Sequence, residues 1–97
     1  MAFVLVVRMK ANEGAEDEAA GLITELAKAS RQEPGAELYI PCRDPDDPRM
    51  FVLFEQYRDK AAFEEHGASE HFTRIAVGRL FGLMESRERT FYETFGS

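Results

Sequence analysis

Two histidines and one acidic residue are the side chains of this sequence best suited to chemistry. His66 follows Phe63 by three positions, which places both side chains on one stripe of a short helix. An imidazole on an inward stripe could take up a proton near neutral pH and act as a general base. A histidine at the core edge, hydrogen-bonded to backbone, would show the same spacing. The spacing alone therefore leaves both interpretations open.

Glu55 lies in an otherwise apolar segment, residues 50–57. A carboxylate is costly to bury without a partner, so we expect it to pair. Its partner could be His66 or an arginine, or the residue could lie at a subunit interface. Both the odd-numbered and the even-numbered residues of this strand are mostly apolar, so the sequence does not tell which face of the sheet Glu55 occupies.

The second histidine, His71, follows Ser69 by two positions, and exposure in a first helical turn is the simpler interpretation. Two histidines and a carboxylate could bind a metal ion. However, the five-residue gap from His66 to His71 spans a predicted helix break, so we predict no metal site.

Cys42 is the sole cysteine, which excludes an intrachain disulfide and a cysteine-based zinc site and fits a reducing compartment. We interpret it as a small filler rather than a nucleophile.

Length and charge restrict the possible classes of protein. Ninety-seven residues predict one domain, residues 1–97. A formal net charge of −6, without a run of Lys or Arg, argues against a nucleic-acid partner. The first eight residues carry no basic leader, and their apolar run is too short for a signal peptide or membrane span. We expect a cytoplasmic location and no membrane partner.

Hydrophobic periodicity predicts seven elements. Period-two and β-branched segments indicate strands at 3–9, 36–42, 50–57 and 87–95, with the second at an edge because Pro41 cannot donate to a ladder. Helical spacing indicates a helix over 15–31, a short helix capped by Asp59 and a longer one capped by Ser69. The order β-α-β-β-α-α-β predicts a ferredoxin-like α+β sandwich with a four-stranded antiparallel sheet, strand order 4-1-3-2.

Helices in this fold cover one sheet face, yet both parities of the first and third strands are apolar. Val4 and Val6 oppose Leu5 and Val7, and the third strand repeats the pattern. The uncovered face must therefore be buried, and a second copy packing sheet to sheet is the economical solution. We predict a homodimer.

Four motifs resemble the antibiotic-biosynthesis-monooxygenase (ABM) family. They follow one another along residues 33–72. They are the turn Glu33-Pro34-Gly35 before Leu38-Tyr39, the acid-containing strand Phe51–Tyr57, the helix from Asp59 to His66, and the segment Ser69-Glu70-His71-Phe72. The resemblance implies a dimeric α/β barrel with one pocket per subunit. It also implies a monooxygenase that needs no metal or flavin and acts with O₂ on a small aromatic, quinol or polyketide-like compound.

Under that resemblance we expect His66 to act as the base and Glu55 to orient it. Tyr39, Phe63 and Phe72 would form the pocket walls, although core packing is their simplest explanation. The remaining predicted substrate contacts are Val7, Phe51 and His71.

The departures from the family pattern bear on the reaction. Haem-degrading relatives use an asparagine, a tryptophan and a histidine where this chain has Val7, His66 and the segment 75–77, and the chain contains no tryptophan. Haem degradation is therefore disfavoured. The Glu55 and His66 pair is similar to members that isomerise small phosphorylated sugars, but no basic residue is evident for the phosphate, so this alternative ranks second. A non-catalytic ligand-binding dimer is the third.

Overall fold

A computed structural model describes residues 1–96 of the chain. The strands are β1 (Phe3–Ala11), β2 (Ala36–Asp44), β3 (Asp47–Tyr57) and β4 (Met84–Glu93). The helices are α1 (Glu16–Ser30) and α2 (Lys60–Gly67), followed by a π-helix (Phe72–Leu80) and a 3₁₀ turn (Phe81–Leu83). The predicted ferredoxin-like α+β fold is confirmed. No helix in residues 1–96 is long and apolar enough to cross a membrane.

The sheet is antiparallel throughout, in the order β2-β3-β1-β4, which is the predicted order. The two central strands are those whose sequences are apolar on both parities. Leu5, Val7 and Met9 of β1 point into the layer of helices, and the register with β3 places Leu53 opposite Val7 and Glu55 opposite Leu5. Glu55 therefore lies on the face that the helices cover.

Local sequence explains how the covering helices begin. α1 carries Glu16, Asp17 and Glu18 in its first turn, where negative charge favours the positive end of the helix dipole. At α2 the carboxylate of Asp59 accepts a 2.8 Å hydrogen bond from the backbone N–H of Ala62, as predicted. Ser69 Oγ accepts a 3.2 Å hydrogen bond from the N–H of Phe72, so it caps the segment that leads into the π-helix.

The structure departs from the sequence prediction at several boundaries. β2 and β3 extend to Asp44 and from Asp47, because the Pro45-Asp46 pair alone makes the turn. β4 spans Met84–Glu93 rather than 87–95, so Phe95 lies outside the strand and is exposed. The third helix is π-helical, which α-helical spacing does not anticipate.

The sheet face opposite the helices is open in the single subunit. Three large apolar side chains on it are 43–54% exposed, namely Leu38, Ile40 and Tyr92. Val6, Val52 and Phe54 of the central strands are half-buried on the same face.

Gly35, between α1 and β2, packs against α2. A Cβ added at this position would overlap the Cβ of Ala62. We expect Gly35→Ala to lower the free energy of unfolding by about 1–3 kcal/mol, because the buried helix must shift to admit one methyl group. Urea denaturation measures this change.

Gly21, on the exposed side of α1, is the matched control. An added Cβ there meets nothing within 4 Å. Gly21→Ala should stabilise the protein by about 1 kcal/mol through helix propensity. Equal effects of the two substitutions would contradict the close approach at Gly35.

Candidate functional site

A cavity of about 280 Å³ lies between the sheet and the helices. Its floor is formed by Leu5, Val7, Met9, Leu53 and Glu55 from the central strands. Helical residues that face it are Leu26, Phe63, His66, Phe72 and Leu80, and the edge strands add Tyr39, Arg87 and Arg89. The size suits a compact ligand, and the largely apolar wall suits a ring system.

A wider and more open hollow adjoins the cavity at its mouth. It shares Phe72, Phe81, Arg87 and Arg89 with the cavity and adds Phe91 of β4. The mouth is therefore lined by aromatic and cationic side chains, whereas the interior is mostly apolar apart from the groups around Glu55 and His66.

His66 is held by Glu33, which lies in the turn after α1. The imidazole Nδ1–H donates to Glu33 Oε2 at 2.8 Å, and only 3% of the His66 side chain is exposed. Because Nδ1 carries the proton in this arrangement, Nε2 keeps its lone pair in the neutral ring. Nε2 lies 3.8 Å from Glu55 Oε1. Among residues 1–96, Glu55 is the one acidic residue that lines the cavity, so the lone pair of Nε2 lies beside this carboxyl group.

This geometry corrects the expected orienting role of Glu55. The hydrogen bond that fixes the His66 ring comes from Glu33, while Glu55 Oε1 accepts a 2.5 Å hydrogen bond from the hydroxyl of Tyr57. The two carboxylates therefore lie beside different nitrogens of the same imidazole. Glu33 lies behind the imidazole, and Glu55 faces its free nitrogen.

Burial moves both groups toward their uncharged forms. Desolvation raises the pKa of Glu55 to about 7, with a further increase from the charge of Glu33, against the opposing effects of the Tyr57 hydrogen bond and Arg89. Desolvation also lowers the pKa of His66 below its usual 6.5, although the hydrogen bond and charge of Glu33 partly offset it. At neutral pH the imidazole is therefore predominantly the free base.

Tyrosine hydroxyls border the same cluster. Desolvation, followed by the charge of Glu55, raises the pKa of both Tyr39 and Tyr57 well above the usual range. Both therefore stay protonated and act as donors rather than as bases. Their rings lie 5.7 and 5.3 Å from the His66 ring, and Phe72 lies 5.1 Å from it, which restricts the imidazole.

Most of the predicted site residues line the same cavity. His66, Glu55, Tyr39, Phe63, Phe72 and Val7 all line the cavity. Phe51 and His71 do not. Phe51 pairs with Met9 in the core, Arg43 covers its ring at 4.8 Å, and it borders a separate shallow depression beside β2. The substrate contact expected of Phe51 stays a prediction.

His71 faces Glu33 rather than the cavity. Its Nε2–H donates to the same Glu33 Oε2 at 2.5 Å, and the residue is half-buried. Neither full exposure nor a direct substrate contact fits this position. The side chain instead helps to hold the carboxylate that holds His66.

Four residues of the site were not anticipated: Glu33, Tyr57, Arg87 and Arg89. Tyr57 lies two positions after Glu55, so strand parity could have paired them. Arg87 and Arg89 alternate in the predicted last strand and share the parity of its aromatic residue Phe91. Their presence at the cavity corrects the expectation that no basic residue is available to an anionic substrate.

Glu33, His66 and His71 are also of the types that bind transition metals. Their potential ligand atoms lie within 4.8 Å of one another. The two histidine nitrogens already contact Glu33 Oε2 as hydrogen-bond donors, so a metal ion would have to replace both protons.

Comparisons with known proteins agree on the family. The family model described as antibiotic biosynthesis monooxygenase matches residues 2–77. No curated protein sequence matches the chain. The crystal structure of PA3566 from Pseudomonas aeruginosa is similar, at 27% identity and a TM-score of 0.90, with 98% of this chain and 95% of that chain covered.

Two further solved structures are similar. A structure described as an antibiotic biosynthesis monooxygenase has 27% identity and a TM-score of 0.90, covering 97% of this chain and 99% of the other. A variant of SnoaB, a cofactor-independent oxygenase from Streptomyces nogalater, has 21% identity and a TM-score of 0.85, covering 99% and 95%, which shows the shared fold. With a family match over most of its length and the motifs of that match gathered around one cavity, this chain belongs to the antibiotic biosynthesis monooxygenase family.

Proposed function

We propose that the protein is a cofactor-independent monooxygenase of a small aromatic or quinol compound. The observation that carries the proposal is the free Nε2 of His66 beside an enclosed, aromatic-lined cavity, with Nδ1 held by Glu33. A base of this kind suits the removal of a proton from a phenol, a hydroquinone or an activated methylene carbon. The family match and the SnoaB likeness support oxygen chemistry for such a pocket.

The first step is a proton transfer. His66 Nε2 takes the substrate proton, and the imidazolium that forms is stabilised by Glu33 at 2.8 Å from Nδ1. The substrate becomes an electron-rich anion within apolar walls. Exclusion of water limits competing protonation of this anion and side reactions of later intermediates.

The second step consumes O₂. The anion passes one electron to O₂, the resulting substrate radical and superoxide combine through a new C–O bond, and the imidazolium proton completes a hydroperoxide. For a methylene substrate, loss of the second C–H proton then expels hydroxide from the O–O bond and leaves a carbonyl. That proton and the hydroxide form water, so one CH₂ and one O₂ give one C=O and one H₂O.

Glu55 is placed to assist this second step. Its pKa of about 7 leaves both protonation states populated at neutral pH, and its carboxyl faces the cavity beside His66 Nε2. The protonated form can protonate the outer peroxide oxygen as the O–O bond breaks. Tyr57 fixes the carboxyl in position through its 2.5 Å hydrogen bond.

A second candidate is isomerisation of a small phosphorylated sugar. It is favoured by Arg87 and Arg89, which supply the cationic groups that the sequence interpretation lacked. His66 and Glu55 would then move a proton between neighbouring carbons. The cavity wall offers few partners for sugar hydroxyls, so this function ranks below the oxygenase. A non-catalytic ligand-binding dimer is the third candidate.

We also propose that the protein acts as a cytoplasmic homodimer through the open sheet face. Leu38, Ile40 and Tyr92 are 43–54% exposed there, beside half-buried side chains of the central strands. A second copy of the same face is the occupant that self-complementary apolar sheets favour. Pairing would also stiffen the strands that form the cavity floor.

Oxygen uptake tests the base. With menadiol-like and anthrone-like substrates, His66→Gln should lower kcat/KM roughly 10²- to 10⁴-fold, the usual contribution of a general base. Glu64→Gln, on the exposed side of the same helix, is the control and should retain activity. Uptake should persist after exhaustive dialysis against a chelator. Equal uptake with and without His66 would discard the assignment, and loss of uptake on dialysis would contradict the metal-free reaction.

The pH profile tests the role of Glu33. Because the pKa of His66 lies below 6.5, the acid limb of kcat/KM should fall below pH 6.5. Glu33→Gln removes the charge that raises this pKa, so the limb should move to lower pH and kcat should fall more than KM changes. A merely structural role would lower activity without moving the limb.

Stability tests the protonation of Glu55. In the native state its carboxyl keeps the proton up to about pH 7, whereas in the unfolded chain it loses it near 4.5. Between these values the native state binds more protons, so this group's contribution to the free energy of unfolding falls as pH rises. The stability of Glu55→Gln relative to the parent should therefore increase by up to ~3 kcal/mol from pH 4.5 to 8. Glu64→Gln, the same change at an exposed position of α2, is the control. A flat difference for Glu55→Gln would contradict the raised pKa.

Oligomeric state tests the sheet interface. Sedimentation should show a dimer, and Ile40→Glu should convert it to a monomer by burying a charge at the seam. Val77→Glu is the control because Val77 is exposed on the helical side. A parent protein that sediments as a monomer at micromolar concentration would refute the dimer.

A further inference from the structure

We infer that Arg87 and Arg89 form an oxyanion subsite, so that the ligand of this cavity is an apolar aromatic body bearing one carboxylate or phosphate group. The inference deepens the proposed function and takes its binding site from it, but it does not depend on the reaction.

The sheet register brings the two arginines to the cavity. Arg87 lies opposite Met9 and Arg89 opposite Val7, both of which belong to the cavity floor. Alternate residues of a strand project from the same face and lie roughly 7 Å apart. Both arginines line the cavity and the hollow at its mouth, so an anion that enters from the hollow meets both residues.

Neither arginine forms a short-range ion pair among residues 1–96, although the charge of Arg89 acts on Glu55 from farther away. Arg49, Arg74 and Arg79 each form an ion pair with a carboxylate, but no ion pair involves Arg87 or Arg89. In a chain with a net charge of −6, two neighbouring cations without a carboxylate partner create a local positive field at one opening.

Aromatic stacking holds these cations without using their donors. The Arg87 guanidinium lies 3.6 Å from the centroid of Phe81, and that of Arg89 lies 5.3 Å from Phe91. A guanidinium stacked on a ring keeps its N–H edge free for an oxyanion, which it binds in a bidentate fashion. The stacking therefore preorganises the donors at the mouth.

The cavity wall defines the rest of the ligand. Beyond the mouth, most lining side chains are aliphatic or aromatic, and the polar groups cluster around His66 and Glu55. Several hydroxyl groups buried there would lack partners, at a cost for each. An aromatic ring with one anionic substituent satisfies both ends of the cavity, whereas a polyhydroxylated chain satisfies only the mouth.

Four probes test the subsite by direct binding, without turnover. They are 2-naphthoate, its methyl ester, 2-naphthyl phosphate and ribose 5-phosphate, measured by calorimetry at low salt. The two naphthyl anions should bind roughly tenfold or more tightly than the ester, as expected for charge-assisted hydrogen bonds. This preference should weaken as salt rises.

The double variant Arg87→Gln/Arg89→Gln should lose the preference for anions while binding the ester as the parent does, which also shows that it is folded. Arg74→Gln/Arg79→Gln removes the same charge from the outer side of the π-helix and should keep the preference. Equal affinity of ester and anions, or a preference that survives in Arg87→Gln/Arg89→Gln, would overturn the subsite.

Ribose 5-phosphate separates the two kinds of phosphate ligand. Tighter binding of the sugar phosphate than of the naphthyl anions would overturn the apolar body and favour the isomerase. Tight naphthyl binding with no oxygen uptake from hydroxylated naphthoates would leave the subsite standing and count against the oxygenase alone.

Discussion

One carboxylate oxygen, Oε2 of Glu33, joins the three helical segments that cover the cavity. It accepts hydrogen bonds from His66 at the end of α2 and from His71 just before the π-helix, while Glu33 itself follows α1. Displacing the carboxylate would leave the buried Nδ1–H of His66 and the half-buried Nε2–H of His71 without this acceptor. The tautomer of His66, and hence the lone pair available to a substrate, follows from this one contact.

Burial moves the ionisable groups of the site toward their uncharged forms. Desolvation raises the pKa of Glu55 and lowers that of His66, so the two groups that face each other across 3.8 Å are a partly protonated acid and a neutral base near pH 7. An ion pair at this depth would carry a desolvation cost for both partners. The partial protonation of Glu55 and the neutral form of His66 reduce that cost, and both groups titrate within reach of neutral pH, as the proposed acid and base would require.

The sequence predicted the architecture well because period and parity are local signals. The β-branched and aromatic runs of β1 and β3 predict two strands, the spacing in α1 and the Asp59 cap predict two helices, and the fold follows from the order of the elements. Parity also predicts which residues share a face, but it does not tell which of them lie beneath a gap in the helices. Phe51 and Glu55 share parity, yet only Glu55 reaches the cavity. Glu33 could not be found this way, because its contacts with His66 and His71 span 33 and 38 residues. Arg87 and Arg89 were visible as alternating residues of a strand predicted to lie beside β1, but their place at the cavity depends on the residue register of that pairing, which no local pattern reveals.

Polarity across the cavity gives a bound molecule a direction. At one end lie the buried His66 and Glu55, and at the other Arg87 and Arg89 present cations at an open mouth. The intervening wall is apolar, so a ligand gains from placing a ring between the two polar ends and loses if it is reversed, because an anion pushed against Glu55 would meet a buried acid. Because β1 pairs with both β3, which carries Glu55, and β4, which carries both arginines, the distance between the two ends is set by the sheet itself. A site built on paired strands is held more precisely than one built on loops, which suits the proposed reaction, because both of its proton transfers occur at one defined position of the substrate.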